Sequence, residues 1–276
     1  MKSAAFATTG PFDMTGQLIV SKHDGVGRLV LNQPDKLNAI TLDMWQGIES
    51  ALAQFADDDS VRVVVVEGAR GKKPAFSAGA DISQFATQRD STEAIAFYEE
   101  AVHRGEQALM HIDKPTIAKI HGYCVGGGLA VALLCDLRIA SSISTFGIPA
   151  AKLGLGYTLE SLKPLVDLVG PSVAKELFYT AKRFTAEEAL VMGLINRSVA
   201  GDELDAFVND YTSTIAANAP WTIRAVKTVV SEALKDDAAC DVQLCADAVA
   251  RCYDSSDYEE GRLAFMEKRP PRFTGL

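Results

Sequence analysis

At residues 61–68 the chain reads VRVVVVEG, with four consecutive valines at 63–66. A β-branched run without polar alternation predicts a strand buried on both faces, and such a strand needs a sheet covered by helices on either side. The flanking sequence meets that requirement. QLIVSKHDGVGRLVLN (17–32) is two apolar runs around Asp24-Gly25, a hairpin signal. Between the hairpin and the valines, Thr41 is placed to cap a helix, Asp43 sits in its first turn, and Leu42, Trp45, Ile48, Leu52 and Phe55 recur at helical spacing. A helix around 92–111, a strand in KPTIAKIHG, a glycine-led helix at 127–134 and a strand in DLRIAS continue the alternation. The expectation is an α/β fold with mainly parallel strands.

From Asp202 onward the pattern is almost entirely helical, over Leu204–Ala217, Trp221–Leu234 and Ala238–Tyr253, with Pro220 as a break. This divides the chain into a flexible arm (1–16), a core (17–201) and a helical C-terminal region (202–276). No internal repeat is legible. The 276 residues are 48% hydrophobic, enough for a large core, and the net charge of −9 argues against nucleic acid or an anionic membrane as partner. The N-terminal residues lack a signal-peptide core and no segment approaches the ~20 apolar residues of a membrane span, so a cytoplasmic protein is expected. The five cysteines are an odd number without a C-x-x-C pair. Buried free thiols are therefore expected, with no disulfide framework and no metal site.

The motifs for P-loop, Rossmann, serine-hydrolase and zincin chemistry are absent from the sequence. His103, His111 and His121 read as structural residues. What remains are two glycine turns, AFSAGAD (75–81) and GYCVGGGLA (122–130). Glycine lets backbone pass close to a ligand, and free N–H groups at a helix start carry partial positive charge, so two converging turns suit an oxyanion. The competing explanation is that Gly126–Gly128 only permits tight packing of a helix on a strand. The sequence leaves both open.

NQPDKLNAI, FSAGADI, KPTIAKIHGYCVGGGLAVALLCDLRIAS, FGIPAAKLGLG, TAEEALVMGLINRSV and EGRLAFMEKRPPRF occur in this order. Together, over about residues 17–274, they resemble the crotonase superfamily of enoyl-CoA hydratases and isomerases. The resemblance implies a spiral of ββα turns, a C-terminal helical trimerisation region, a homotrimer or homohexamer, and an acyl-CoA thioester as substrate. Coenzyme A would enter as part of that substrate, with no separate cofactor. It also implies an oxyanion hole made by the N–H groups of Ala80 and Gly127, holding the oxygen of a thioester enolate. Lys36, Leu37 and Ala39 fall at CoA-cradling positions, with Ala78, Asp81, Ile82 and Tyr123 near the substrate and Phe265 and Lys268 toward the adenine and phosphates.

The chain departs from the hydratase pattern at both catalytic glutamates. One such position, two residues after the glycine triplet, is Ala130, and the other, after the proline of FGIPA, is Ala150. Alanine neither activates water nor protonates carbon, so ordinary hydration is disfavoured. The loop GLGYTLESLKPLVDLVG also departs, bringing in Tyr157 and Glu160. Glu160 is the candidate replacement acid or base, against a role as a helix-end carboxylate; Asp136 reads as structural. The expected function is isomerase-like, hydratase-like or other enolate chemistry on an acyl-CoA. Decarboxylation or thioester hydrolysis, and a weakly catalytic acyl-CoA-binding subunit, are the alternatives.

Overall fold

The computed structural model describes residues 12–13, 16–81 and 91–276. Ile82 and most of the N-terminal arm lie outside the described residues.

The valine run forms strand β4 (Val63–Gly68) and divides its side chains between two cores. Val64 and Val66 join the main cluster with Leu29, Trp45 and Ala118. Val63 and Val65 join a second cluster on the other face with Ile117, Ile139, Leu204 and Val208. All four are at most 1% exposed, and full burial of each contributes roughly 1.5–3 kcal/mol. Helix Leu204–Ala217 provides Leu204 and Val208, so it closes the outer face of the sheet itself.

β4 lies parallel to β3 (Val26–Leu31) on one side and β6 (Thr116–Ile120) on the other. β6 is followed by β8 (Leu137–Ser141) and β11 (Arg197–Val199), both parallel. β3 pairs antiparallel with β2 (Leu18–His23), which pairs with β1 (Phe12–Asp13). Asp24 and Gly25 turn that hairpin at φ 48° and 79°, as a tight two-residue turn requires. The seven-stranded order is β1-β2-β3-β4-β6-β8-β11.

A second sheet holds β5 (Ala75–Ser77), β7 (Tyr123–Val125), β9 (Thr145–Gly147) and β10 (Phe184–Thr185) in the order β10-β9-β7-β5. The chain visits the two sheets in alternation. β6 feeds β7 and then helix Gly127–Leu134; β8 feeds β9 and then the short helix Ala150–Leu153. β4 feeds β5 in the same way, and β3 is followed by Ile40, which bridges to Ala80, before helix Leu42–Asp57. This is a spiral of ββα turns, with the mouths of successive turns brought side by side.

Helix starts follow their caps. Thr41 Oγ1 accepts from the N–H of Met44 at 3.2 Å. Asp241 accepts from Leu244 at 2.9 Å, so the helix anticipated from Ala238 begins at Val242. Helix Leu159–Thr180 is broken at Gly170 (φ 74°, ψ 169°). Ser256–Glu267 forms a further helix at the C-terminal end. Among the described residues no helix is long and apolar enough to cross a membrane.

Candidate functional site

The turn after β5 is fixed by bonds that leave one donor over. Ser77 Oγ accepts from the N–H of Gly79 at 3.1 Å, and Gly79 adopts φ 104°. Ile40 donates to Gly79 O at 2.8 Å, and Asp81 donates to Ile40 O at 3.0 Å. The Ala80 N–H between them has no hydrogen-bond partner among the described residues.

Each glycine of the triplet meets a different demand. Gly126 caps the helix at φ 55°, ψ −123°, a conformation that side chains resist, and donates to Gly147 O at 2.9 Å. A Cβ on Gly128 would lie 2.4 Å from Ser77 O, so the helix rides directly on β5. Gly127 has no such neighbour: the nearest atom to its Cβ position is the Ala80 nitrogen at 3.4 Å. As the first residue of the helix it offers an N–H without an intrahelical acceptor. Both explanations raised by the sequence hold, at different residues of the triplet. Ala80 and Gly127 are neighbours, each with an uncommitted backbone donor.

The loop 33–39 docks alongside this pair. Ala78 donates to Leu37 O at 2.9 Å, Ala39 donates to Lys36 O at 3.1 Å, and Lys36 Nζ donates to Asp81 Oδ2 at 2.8 Å. Lys36, Leu37, Ala39, Ala78, Ala80, Asp81 and Gly127 are thereby gathered into one strip. Asn38, which the sequence did not single out, holds the loop's shape. Buried to 1% exposure, it donates to Ala69 O and Ala75 O and accepts from the Gln33 N–H. Tyr123 is half-buried with its ring under the Arg183 guanidinium, 4.9 Å from the centroid. Phe265 and Lys268 stand apart within one chain. Phe265, 86% exposed, lines a large apolar groove of about 880 Å3 formed by C-terminal segments, and Lys268 ends helix Ser256–Glu267 on the surface.

Ala150 is buried in the main core, whereas Ala130 lines a cavity of about 40 Å3. Glu160 lines the same cavity. It sits in the first turn of its helix, but Thr158 Oγ1 supplies the cap, accepting from Ser161. Its side chain is 79% exposed, with Oε2 3.9 Å from His103 Nδ1. Tyr157 is half-buried, edge-on to Phe178 at 4.8 Å. A residue missed in the sequence, Glu106, also faces this cavity, and burial pushes its carboxyl above the ordinary range. In HRGEQALMH it looks like any solvent-facing helical charge; its only signal is its place beside Gly105, which packs on Trp45.

The polar groups behind the site are structural. Asp136 accepts from the N–H and Oγ1 of Thr116 and from Lys227 Nζ. Arg138, 4% exposed, donates to Leu194 O, Cys135 O and Ala132 O, satisfying carbonyls at the C-terminal end of the glycine-led helix. Cys124 and Cys135 are free and buried; burial pushes the Cys135 thiol up to about 12. His111 bonds Gln107 at 2.8 Å and His121 bonds Ser141 at 3.1 Å.

Two sheets wound as ββα turns, with two adjacent backbone donors at the mouths of neighbouring turns, form a scaffold suited to acyl-group chemistry at an oxyanion. Residues 21–276 match the family model described as enoyl-CoA hydratase/isomerase. The chain is 34% identical over 258 residues to a crotonyl-CoA hydratase of Syntrophomonas wolfei, covering 93% of this chain and 97% of that one. It is 32% identical over 254 residues to a short-chain-enoyl-CoA hydratase of Clostridium acetobutylicum, covering 91% and 95%. A crystal structure of an enoyl-CoA hydratase/carnithine racemase from Magnetospirillum magneticum superposes with a TM-score of 0.88 at 32% identity, covering 96% and 98%. The chain belongs to the enoyl-CoA hydratase/isomerase family, the crotonase superfamily, and is an acyl-CoA-processing enzyme.

Proposed function

We propose that this enzyme generates an enolate from an acyl-CoA thioester and uses it for proton relocation, such as a double-bond shift, and not for rapid hydration. The observation that carries this reading is the pair Ala80 and Gly127. Their N–H groups are uncommitted and adjacent, and the residues where hydratases hold glutamate, Ala130 and Ala150, have no group to activate water. Donors aimed at the enolate oxygen stabilise it without reorganisation, worth ~10²–10³ in rate per donor. Lys36 and Asp81 lie on the strip along which CoA runs, and Ala78 and Tyr123 contribute to its acyl end. Glu160, the replacement acid or base expected from the sequence, stands 79% exposed on the rim of the Ala130 cavity, where its charge acts on the site from outside.

The relatives named above are hydratases of crotonyl-CoA and short-chain enoyl-CoA, so short enoyl-CoA thioesters are the first substrates to test. The deciding experiment is an acyl-CoA panel followed by mass and by double-bond position. Relocation without mass change supports the reading. Loss of carbon dioxide or release of free CoA would replace it with decarboxylation or thioester hydrolysis, and tight binding without turnover with an acyl-CoA-binding subunit.

The apolar groove holding Phe265, with Val226, Val230 and Met266 exposed along it, is the face through which copies of the chain would assemble into a trimer or hexamer and bring Phe265 and Lys268 toward a neighbouring CoA site. A monomer across micromolar concentrations in light scattering would reject that assembly. A cytoplasmic location is part of the same proposal.

A further inference from the structure

The cavity of about 40 Å3 lies between helices Thr92–His111 and Gly127–Leu134 and the start of helix Leu159–Thr180. Ala130 forms one wall, and His103, Glu106 and Glu160 are the titratable groups lining it. Ala130 follows Gly127 by three residues, which places both on one helix face. Helical Cα–Cβ bonds lean toward the N-terminus, so the Ala130 methyl is directed back toward the Gly127 end. The cavity therefore sits on the same side of the helix as the uncommitted Gly127 donor.

Glu106 has no evident structural task. It is half-buried, and its carboxyl has neither a hydrogen bond nor an ion pair among the described residues. It neither caps a helix nor ties two elements together. Its titratable surroundings are His103 on its own helix, Glu160 on the facing helix and Tyr157 in the loop before that helix. Burial raises its carboxyl, His103 offsets part of that, and the Glu160 charge adds to the rise. Tyr157 is raised by its own burial and by the Glu106 charge. A desolvated carboxyl without a partner costs stability, and such groups are retained where proton transfer needs an elevated pKa.

We propose that Glu106 is the catalytic residue that carries the proton in this site, reaching the substrate past the small side chain of Ala130, with Glu160 acting on it from the rim as a tuning charge. The proposal rests on the enolate reading above. For a β,γ-unsaturated acyl-CoA, the Glu106 carboxylate removes a proton from the α-carbon, and the C–H electron pair becomes a C=C bond. The thioester π pair moves to the oxygen held by the Ala80 and Gly127 N–H groups. Glu106, now a neutral carboxyl, returns the proton to the γ-carbon: the oxygen pair re-forms the carbonyl, the enolate C=C pair shifts to the α,β bond, and the β,γ π pair takes the proton, leaving an α,β-unsaturated thioester and a carboxylate. Water and redox equivalents are neither consumed nor produced, so a single carboxyl suffices and both missing glutamates are accounted for.

The test uses the full chain with short-, medium- and long-chain β,γ-enoyl-CoA thioesters in deuterium oxide. Deuterium uptake is followed by mass and double-bond position by NMR. The wild type is expected to shift the bond. Glu106→Gln should slow the shift by ~10² or more while binding acyl-CoA as tightly as the wild type and melting no lower. Glu160→Gln should retain most of the rate but move the acidic limb of the pH–rate profile to lower pH, because a charge that raises Glu106 has gone. A Glu106→Gln enzyme with the wild-type rate, or one that loses thermal stability and binding together, overturns the proposal. If the wild type binds these thioesters yet neither exchanges nor shifts them, the enolate reading itself falls and takes the proposal with it. If the wild-type shift is lost in Gly127→Ala and kept in Glu106→Gln, only the assignment of Glu106 falls.

Discussion

The heavy atom nearest to the face that Gly127 leaves open is the amide nitrogen of Ala80, 3.4 Å from where a Cβ would stand. Gly127→Ala therefore folds, but its methyl occupies the space between the two donors, and turnover should fall by ~10²–10³, the worth of an oxyanion-hole contact. Gly128→Ala behaves in the opposite way. Its methyl would meet Ser77 O at 2.4 Å, forcing the helix off β5 at a cost of roughly 1–3 kcal/mol. Thermal melts and kcat measured on the two variants should separate a functional glycine from a packing glycine one residue apart.

The Lys36 ammonium is half-exposed while its partner Asp81 is 5% exposed, so the positive end of this pair faces outward over the docked loop. An anionic phosphate arriving there meets a cation already held in place. Lys36→Met should raise KM for acyl-CoA several-fold with kcat unchanged, as removal of a uniform binding contact does. It should also flatten the dependence of KM on ionic strength, since the screened attraction has been removed. A KM that keeps the wild-type salt slope would place the phosphates elsewhere.

Residues whose roles are local were legible in the sequence. The valine run, the Asp24-Gly25 hairpin and the Thr41 cap act through nearest neighbours and periodicity, and the motif resemblance identified the family and the spiral. The recurrence of ββα turns was not visible as a repeat. Each turn meets different neighbours: Ile40 stands in for one second strand as a single bridge, and the helices run from Ala150–Leu153 to Thr92–His111. Glu106 was hidden for a related reason. Whether a helical glutamate faces solvent or a cavity depends on which helix lies across from it, here one that follows it by about twenty residues. Asn38 likewise acquires its role only when β4 and β5 bring the carbonyls of Ala69 and Ala75 to its amide.

Glu106 also leaves a signature in stability against pH. Burial raises its folded-state value above the ordinary 4.5. The stability it contributes is therefore complete below that value and is lost as pH rises through the folded value, because the folded protein must then ionise a desolvated carboxyl. Glu106→Gln removes this dependence. The two proteins should be nearly equal in stability in acid below the ordinary value, and the variant should become the more stable as pH rises, reaching a constant advantage near neutrality. Urea denaturation across that range measures the difference. A variant that is less stable at neutral pH would mean that the carboxylate has a partner to lose.

Ala130 and Ala150 make the strongest statement about reaction type. Hydration of an enoyl thioester needs one group to take a proton from water and another to deliver a proton to carbon, and positioned acid–base catalysis is worth ~10²–10⁴. Ala150 is buried in the main core with 3% exposure, and Ala130 opens on a cavity in which Glu106 is the most enclosed carboxyl. One enclosed carboxyl can return a proton it has taken but cannot at the same time activate water and protonate carbon. Crotonyl-CoA hydration should accordingly run at least ~10² below that of a two-glutamate family member assayed beside it. The same enzyme should move a β,γ double bond into conjugation faster than it adds water to the product. The ratio of the two rates, taken from one progress curve that follows both species, tests this directly. A hydration rate equal to that of a two-glutamate enzyme would require a second proton-transfer group working beside Glu106, and the isomerase assignment would have to be given up.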